Sequence, residues 1–162
     1  KKSIWRQVQK KTAEGNKPSF AALVIVGNKN GYIGLGYGKA RETLPAREKA
    51  VRKAKLNMIK VQRGCGSWEC GCGGNHSIPC KIIAKCGSVV VEILPAPKGT
   101  GLAMEKEAAK ILALAGIKDV YSRTYGQTRT KLNHLKAIFE ALRLLAQVKI
   151  KPAMNKTVAK EQ

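Results

Sequence analysis

Acidic residues are scarce in this sequence: 10 Asp and Glu stand against 31 Lys and Arg in 162 residues, a formal charge of +21. Carboxylates scattered this thinly leave no acid and base pair on which an enzyme's proton transfers could be built. Histidine is scarcer still, with two. Long apolar runs are also missing. No stretch approaches the roughly 18 to 20 uninterrupted apolar residues of a membrane-spanning helix, and residues 1–11 carry no hydrophobic core of a secretory leader. The expectation is a soluble, intracellular chain without a membrane partner. The chain opens on Lys1 and not on Met, so an upstream segment is expected. No internal repeat is evident, and no disulfide framework either. The five cysteines are odd in number, and Cys65, Cys70, Cys72 and Cys80 crowd into one 16-residue stretch, whereas a framework would spread them along the chain.

What is present is positive charge on a foldable background. A chain at +21 repels itself unless a polyanion neutralises it, and nucleic acid is the first candidate. A hydrophobic fraction of 44% is that of a globular protein and far above that of a disordered basic tail. The length allows one ordinary domain or two small ones, each marginal alone because small domains bury a smaller share of their surface.

Residues 19–40 read as a β-hairpin: an apolar run through Phe20, Leu23 and Ile25, turn residues Asn28-Lys29-Asn30-Gly31, then a glycine-studded run from Tyr32 to Ala40. A first strand is expected in Ser3–Lys10, with Thr12–Pro18 between them as an exposed basic loop. Helical spacing follows from Leu44 to about Lys60, with Ala46, Ala50, Val51, Ala54 and Met58 on one face and Pro45 in the first turn. Residues 41–63 hold eight basic and two acidic side chains, which suits a helix facing phosphates better than a merely solvated one in so basic a chain. Gly64–Asn75, rich in Gly and Cys, looks like a domain junction. Beyond it come strand-like runs at Ser77–Ala84 and Ser88–Leu94, and a loop over Pro95–Gly101. A helix carrying Met104, Ala108, Ile111, Leu112 and Ala115 then stops at Gly116. A strand over Ile117–Tyr121 and a last helix over Thr130–Val148 complete the pattern. The basic charge is dense in the N-terminal loop, the first helix, residues 123–136 and the tail, and sparse from Gly64 to Met104.

Few residues invite chemistry. Gly34, Gly36 and Gly38 followed by Lys39 fit neither phosphate-loop spacing, G-x-x-x-x-G-K-[ST] or G-x-G-x-x-G. Spaced by two in a strand, they share a face on which another backbone can approach closely, and the basic helix and a nucleic-acid backbone are equal candidates for it. Cys65-x4-Cys70-x-Cys72-x3-His76 is a set of soft ligands of the kind tetrahedral zinc prefers, although its spacings differ from paired knuckles. The alternative is reduced, buried cysteines in a tight turn. Cys86 is expected in the core of the strand region, and Cys80 is ambiguous. A zinc deaminase is excluded, because it needs H-x-E followed by P-C-x-x-C. The other histidine, His134, sits in the last helix as a surface or RNA-contacting residue. Ser122–Lys131 combines hydroxyls, an amide, an aromatic and three cations, with no acidic residue from Val120 to Phe139, and suits phosphate and 2′-hydroxyl contacts.

Four segments carry a family resemblance. Val26-Gly-Asn-Lys-Asn-Gly-Tyr-Ile-Gly-Leu-Gly-Tyr-Gly-Lys-Ala-Arg-Glu42 resembles the hallmark hairpin of the universal small-subunit ribosomal protein number five (S-five) family. Pro95-Ala-Pro-Lys-Gly-Thr-Gly-Leu102, Leu114–Val120 and Leu132–Leu142 are similar to its C-terminal domain, in the family's order. The cysteine stretch Gly64–Gly73 with His76-Ser-Ile-Pro79 is similar to the archaeal branch and unlike the bacterial form. Met104-Glu-Lys-Glu departs from the glycine- or valine-containing turn of the family. The resemblance implies an α+β chain with a double-stranded-RNA-binding-like domain of three strands and one helix over 1–63. A two-layer α/β domain with a left-handed crossover would follow over 64–148, and a basic tail over 149–162.

By the same resemblance the chain is expected to be a non-enzymatic structural constituent of the small ribosomal subunit, cytoplasmic and on the ribosome. It would bind rRNA, touch ribosomal proteins four and eight and the mRNA where it enters, and support assembly and translational accuracy. The loop Thr12–Pro18 would probe RNA, and Gly99 with Thr100 would face protein and RNA. The RNA-binding candidates are Lys10, Lys11, Lys17, Lys29, Lys39, Arg41, Arg52, Lys53, Arg123, Thr128, Arg129 and Lys131. One zinc is expected on Cys65, Cys70, Cys72 and His76. The rival readings are a free regulator of duplex RNA and an RNA-processing enzyme, and the latter lacks an acid and base pair.

Overall fold

A computed structural model of the chain describes residues 2–148, so the expected basic tail over 149–162 lies outside the described residues. The backbone divides into two compact units. One comprises residues up to 27 together with 33–59, the other residues 28–32 together with those from 60 onward.

The first unit runs β1 (Lys2–Thr12), β2 (Gly15–Gly27), β3 (Tyr32–Ala40), α1 (Thr43–Leu56) and β4 (Met58–Lys60), in sheet order β1-β2-β3-β4. Thr12–Pro18 is not the expected loop. β1 and β2 stay paired as far as Thr12 opposite Gly15, with Lys10 facing Lys17 and Gln9 facing Pro18, and the turn is Ala13-Glu14 alone. Polar turn-forming side chains do not prevent backbone pairing. Pro18 is tolerated because β3 ends at Ala40 opposite Phe20, which leaves β2 a free edge there for the position without an N–H.

Helix α1 packs on the face formed by Phe20, Ala22, Val24 and Val26, with Ala46 and Ala50 buried against it. Gly34, Gly36 and Gly38 lie under the same helix. A Cβ at any of the three would come within 3.0 Å of the carbonyl oxygen of Ala54, Ala50 or Ala46 respectively, closer than real Cβ atoms approach. The partner of the glycine face is therefore α1 and not a nucleic-acid backbone. The helix ends at Leu56, four residues before its expected end. Asn57 donates its backbone N–H to the Lys53 carbonyl (3.0 Å) and its Nδ2 to the Leu35 carbonyl (3.3 Å). Met58, expected on the buried helix stripe, is exposed in β4.

The second unit contains β5 (Ile82–Cys86), β6 (Val89–Pro95), β7 (Leu102–Ala103), α2 (Lys106–Ala115), β8 (Val120–Tyr125) and α3 (Lys131–Gln147). Its sheet order is β5-β6-β8-β7, antiparallel except for the parallel pair β7 and β8. Ile82 and Ala84 are buried while Ile83 and Lys85, which alternate with them, are exposed, the alternation of a sheet covered on one face. The covered face is closed by Ile111 and Leu112 of α2 and by Leu135, Ile138, Leu142 and Leu145 of α3, all fully buried. Each such side chain contributes roughly 1.5–3 kcal/mol on burial. Gly116 closes α2 in the left-handed conformation (φ 85°), as its position predicts.

Several boundaries differ from the sequence expectation. Met104 precedes α2 in a bend. Ser77 lies outside any strand and is buried because its hydroxyl donates to the Asp119 carbonyl (2.6 Å) and accepts the Ala96 N–H (3.2 Å). Ile117 is buried ahead of β8, which instead takes in Ser122–Tyr125. Cys86 is half-buried at the end of β5 and is not a core residue. His134 is neither a surface nor a contact residue. It is buried, and its Nδ1 lies 2.6 Å from Glu105 Oε2.

Candidate metal centre and nucleic-acid interface

The cysteine stretch is held within the second unit by backbone bonds to the segment after it. Gly64 and Ser77 exchange N–H to carbonyl bonds of 3.0 Å in each direction, and the Gly66 N–H reaches the Ile78 carbonyl at 3.1 Å. This ladder folds the stretch back so that the ligand atoms of Cys65, Cys70, Cys72 and His76 all lie within 4.8 Å of one another. Cys70 Sγ is 3.0 Å from Cys72 Sγ, and His76 Nε2 is 3.1 Å from Cys72 Sγ and 3.7 Å from Cys70 Sγ. Tetrahedral zinc with bonds of about 2.3 Å to sulfur sets its ligand atoms roughly 3.8 Å apart, so the set fits such an ion and could hold one. Cys80 does not join it. The alternative of buried, inert cysteines does not fit, since Cys72 is exposed and Cys65 and Cys70 are only half-buried.

Electrostatics within the set are uneven. Burial, with weaker contributions from Cys70 and Cys72, pushes the Cys65 thiol up to about 11. The hydrogen bond with Cys72 pulls Cys70 down to about 6, making it a thiolate at neutral pH. Thiolate is the form that binds metal. Cys80 is raised by burial alone, in keeping with a thiol outside the set.

Asp119 is the functional residue that spacing did not reveal. Its Oδ2 lies 2.8 Å from His76 Nδ1, and its Oδ1 accepts the backbone N–H groups of Gly99 (3.1 Å) and Gly101 (2.8 Å). Burial is the largest single influence on this carboxyl and pushes its pKa up. The Gly101 N–H, His76 and the Gly99 N–H together outweigh it, and Asp119 stays below the usual carboxylate range. A carboxylate on Nδ1 leaves Nε2 facing the sulfurs, the arrangement that orients histidine ligands in metal sites. Gly99 is thus spent on a buried carboxylate, and the Thr100 hydroxyl on the Pro97 carbonyl (2.9 Å). The only local signal for Asp119 was a lone acid in a basic neighbourhood.

The RNA-binding candidates fall in several places. Lys10, Lys11 and Lys17 are exposed at the end of the β1–β2 hairpin, where Lys17 pairs with Glu14 at 3.3 Å. Lys39 is the penultimate residue of β3, and Arg41 follows the strand. Arg52 and Lys53 lie on the outer face of α1 with Arg47, Lys49 and Lys55, all exposed. In the second unit, Arg123 is on the open face of β8, half-buried Thr128 and exposed Arg129 lie in the turn after it, and Lys131 begins α3. Lys29 sits in the Asn28–Tyr32 turn, away from the rest of its hairpin candidates in the division of the chain.

Two family models match the chain: ribosomal protein S5, N-terminal domain, over residues 4–62, and ribosomal protein S5, C-terminal domain, over residues 84–157. The cysteine set lies between the two matches. The chain is 54% identical over 151 residues to the small ribosomal subunit protein uS5 of Nanoarchaeum equitans, covering 93% of this chain and 65% of that protein. It is 56% identical over 138 residues to the protein of the same name from Methanocaldococcus jannaschii, covering 85% and 64%. With that of Thermofilum pendens it shares 54% over 136 residues, covering 84% and 67%. The chain thus spans about two thirds of the length of these relatives, just under it for the first two.

Proposed function

This chain belongs to the ribosomal protein S5 family, and on that premise we propose that it is a structural, non-enzymatic constituent of the small ribosomal subunit on the cytoplasmic ribosome. The observation that carries this is identity above 50% to small-subunit proteins over most of the chain. The candidate cations, from Lys10, Lys11 and Lys17 on the hairpin to Arg129 and Lys131 at α3, neutralise rRNA phosphates and release counterions. In this reading residues 1–63 form a double-stranded-RNA-binding-like domain with a modified surface, and residues 64–148 a two-layer α/β domain. Neighbouring ribosomal proteins four and eight, and mRNA where it enters, are its further partners, and assembly and translational accuracy depend on its holding them in register.

Cys65, Cys70, Cys72 and His76 hold one structural zinc in this reading. The ion would cross-link a glycine-rich segment that has little apolar side-chain mass to pack. Elemental analysis of the purified chain is expected to return one equivalent of zinc, and less than about a tenth of an equivalent would rule out a structural site.

The RNA reading is tested by replacing Lys10, Lys11 and Lys17 with Ala. Binding to small-subunit rRNA should weaken, and the slope of log affinity against log salt should shrink by about 0.7–0.9 per cation removed. Unchanged assembly and unchanged slope would show that the hairpin end is not an RNA contact. A chain that sediments chiefly away from ribosomal particles would favour a free regulator instead.

A further inference from the structure

The turn between the first two cysteines of the metal set carries a side chain that metal binding does not use. Gly66-Ser67-Trp68-Glu69 separates Cys65 from Cys70. The Cys70 N–H reaches back to the Ser67 carbonyl at 3.3 Å, which makes Trp68 and Glu69 the two central residues of a β-turn. Trp68 is 93% exposed, more than any other large apolar side chain among the described residues. Glu69 beside it is exposed as well.

The backbone beneath this indole is fixed. The Gly66 N–H donates to the Ile78 carbonyl (3.1 Å), and a Cβ on Gly66 would collide with the Pro79 carbonyl. Cys65 Sγ lies 3.6 Å from the Cys70 carbonyl oxygen. A turn clamped at both ends has little freedom left to lose on binding, and a preorganised Trp is the side chain that contributes most as the anchor of an interface.

Charge decides what kind of surface the anchor meets. From Gly64 to Cys80 there is no Lys or Arg and one acid, Glu69, in a chain whose cations outnumber its acids about three to one. Aromatic side chains that stack on single-stranded RNA work together with cations that follow the phosphates. Here the neighbour of the indole is a carboxylate, which phosphates repel. Lys29, Arg63, Lys98 and Lys118 border a cleft with Cys72 and His76, and neither Trp68 nor Glu69 lines it. The surface that suits this tip is that of a protein, with an apolar pocket for the indole and Lys or Arg at its rim for Glu69.

We propose that Trp68 and Glu69 form a protein-docking knob that inserts into an apolar, basic-rimmed pocket on a neighbouring protein of the small subunit. The proposal rests on the small-subunit reading above. It adds a contact that is not to RNA, in a segment between the two matched family domains to which none of the RNA-binding candidates belongs.

The experiment compares binding of the full chain to two targets: protein-free small-subunit rRNA, and small-subunit particles that lack this chain but keep their other proteins. Trp68→Ala should bind the rRNA as the wild type does and lose roughly tenfold or more in affinity for the particles, the scale of an aromatic hot spot. Glu69→Lys should lose a smaller factor on the particles and nothing on the rRNA. Both variants should match the wild type in thermal stability, because both side chains stand in water. Unchanged particle affinity in either variant would overturn the proposal. So would a Trp68→Ala loss of equal size on protein-free rRNA, which would mark the indole as a base-stacking group. A benzophenone amino acid placed at position 68 identifies the occupant. A cross-link to another protein of the particle is expected, and cross-links to rRNA or to the chain itself would each overturn the proposal. A wild-type chain that binds neither target would bring down the small-subunit reading, whereas one that binds both with Trp68 dispensable would bring down this proposal alone.

Discussion

In the first unit a helix lies on a sheet with almost nothing between the two backbones: three glycines on β3 meet three alanines on α1, and carbonyl oxygens sit where side chains would otherwise be. The cysteine segment of the second unit is organised in the opposite way. It has no regular element from Gly64 to Pro79 and is positioned by backbone bridges, a serine hydroxyl and the Asp119 carboxylate. One seam therefore has no tolerance for added volume along three successive glycines and needs no polar partner. The other has room at Gly71 and Gly74, though not at Gly66 beside the Pro79 carbonyl, and is held in place by hydrogen bonds.

The largest effect should come from volume added to the first seam. Gly36→Val places methyl groups against the Ala50 carbonyl and the Ala54 N–H, and overpacking of this kind costs about 3 kcal/mol. Urea denaturation should show the loss. Gly71→Val, where nothing lies within 4 Å of a Cβ, is the matched control and should leave the midpoint nearly unchanged. A tolerated Gly36→Val would mean that α1 can lift from the sheet, and the contrast between the two seams would collapse.

Next in size is the loss of the carboxylate that serves the second segment. Asp119→Ala leaves the buried His76 Nδ1 without its partner and frees the part-buried N–H groups of Gly99 and Gly101; a buried group left unpaired costs about 1–3 kcal/mol, and groups that water can reach cost less. Removing the outer partner of a ligating histidine also weakens metal binding, by roughly 10–100-fold. Zinc competition against a chromogenic chelator measures the second effect separately from the first. Retained zinc affinity in a destabilised Asp119→Ala would make the carboxylate a structural tie only.

The smallest effect concerns the sheet of the second unit. The hydrogen bond from Lys81 holds the Glu92 carboxyl below its ordinary value, against its own burial. A carboxyl depressed in the folded state stabilises the fold fully above its unfolded pKa, and that contribution is lost as pH falls through the folded value. Glu92→Gln should therefore flatten the acid limb of thermal stability below about pH 4.5, near the unperturbed glutamate pKa, and leave stability above it little changed in shape. An acid limb identical in wild type and variant would remove Glu92 from the account.

Much of this architecture is legible along the chain. The Asn28–Gly31 turn, the two-residue glycine spacing and the stripes of α2 and α3 are all recoverable from periodicity, as is the left-handed stop at Gly116. Boundaries were less so. Asn16-Lys17-Pro18 has the composition of a loop, yet backbone pairing continues past it. The run Leu56–Lys60 keeps a helical spacing, but pairing with β3 converts its last three residues into β4. His134 looked like an exposed polar residue because Glu105, the group that makes its burial acceptable, lies on another element. The four ligands of the metal set were within reach of sequence reasoning, being close neighbours along the chain. Asp119 was not, because it stands 43 residues from His76.

The residues alone carry the excess of cations and where it concentrates, the alternation and helical repeats that make strands and helices, and a local group of sulfur and imidazole donors. Those are relations between near neighbours, and they survive in a linear reading. Which backbone fills the glycine face, which carboxylate turns His76 toward the sulfurs, and which four lysines and arginines border one cleft are relations between residues far apart. They exist once packing has brought distant segments together, since burial and hydrogen bonding depend on what lies across the space and not on what lies next along the chain.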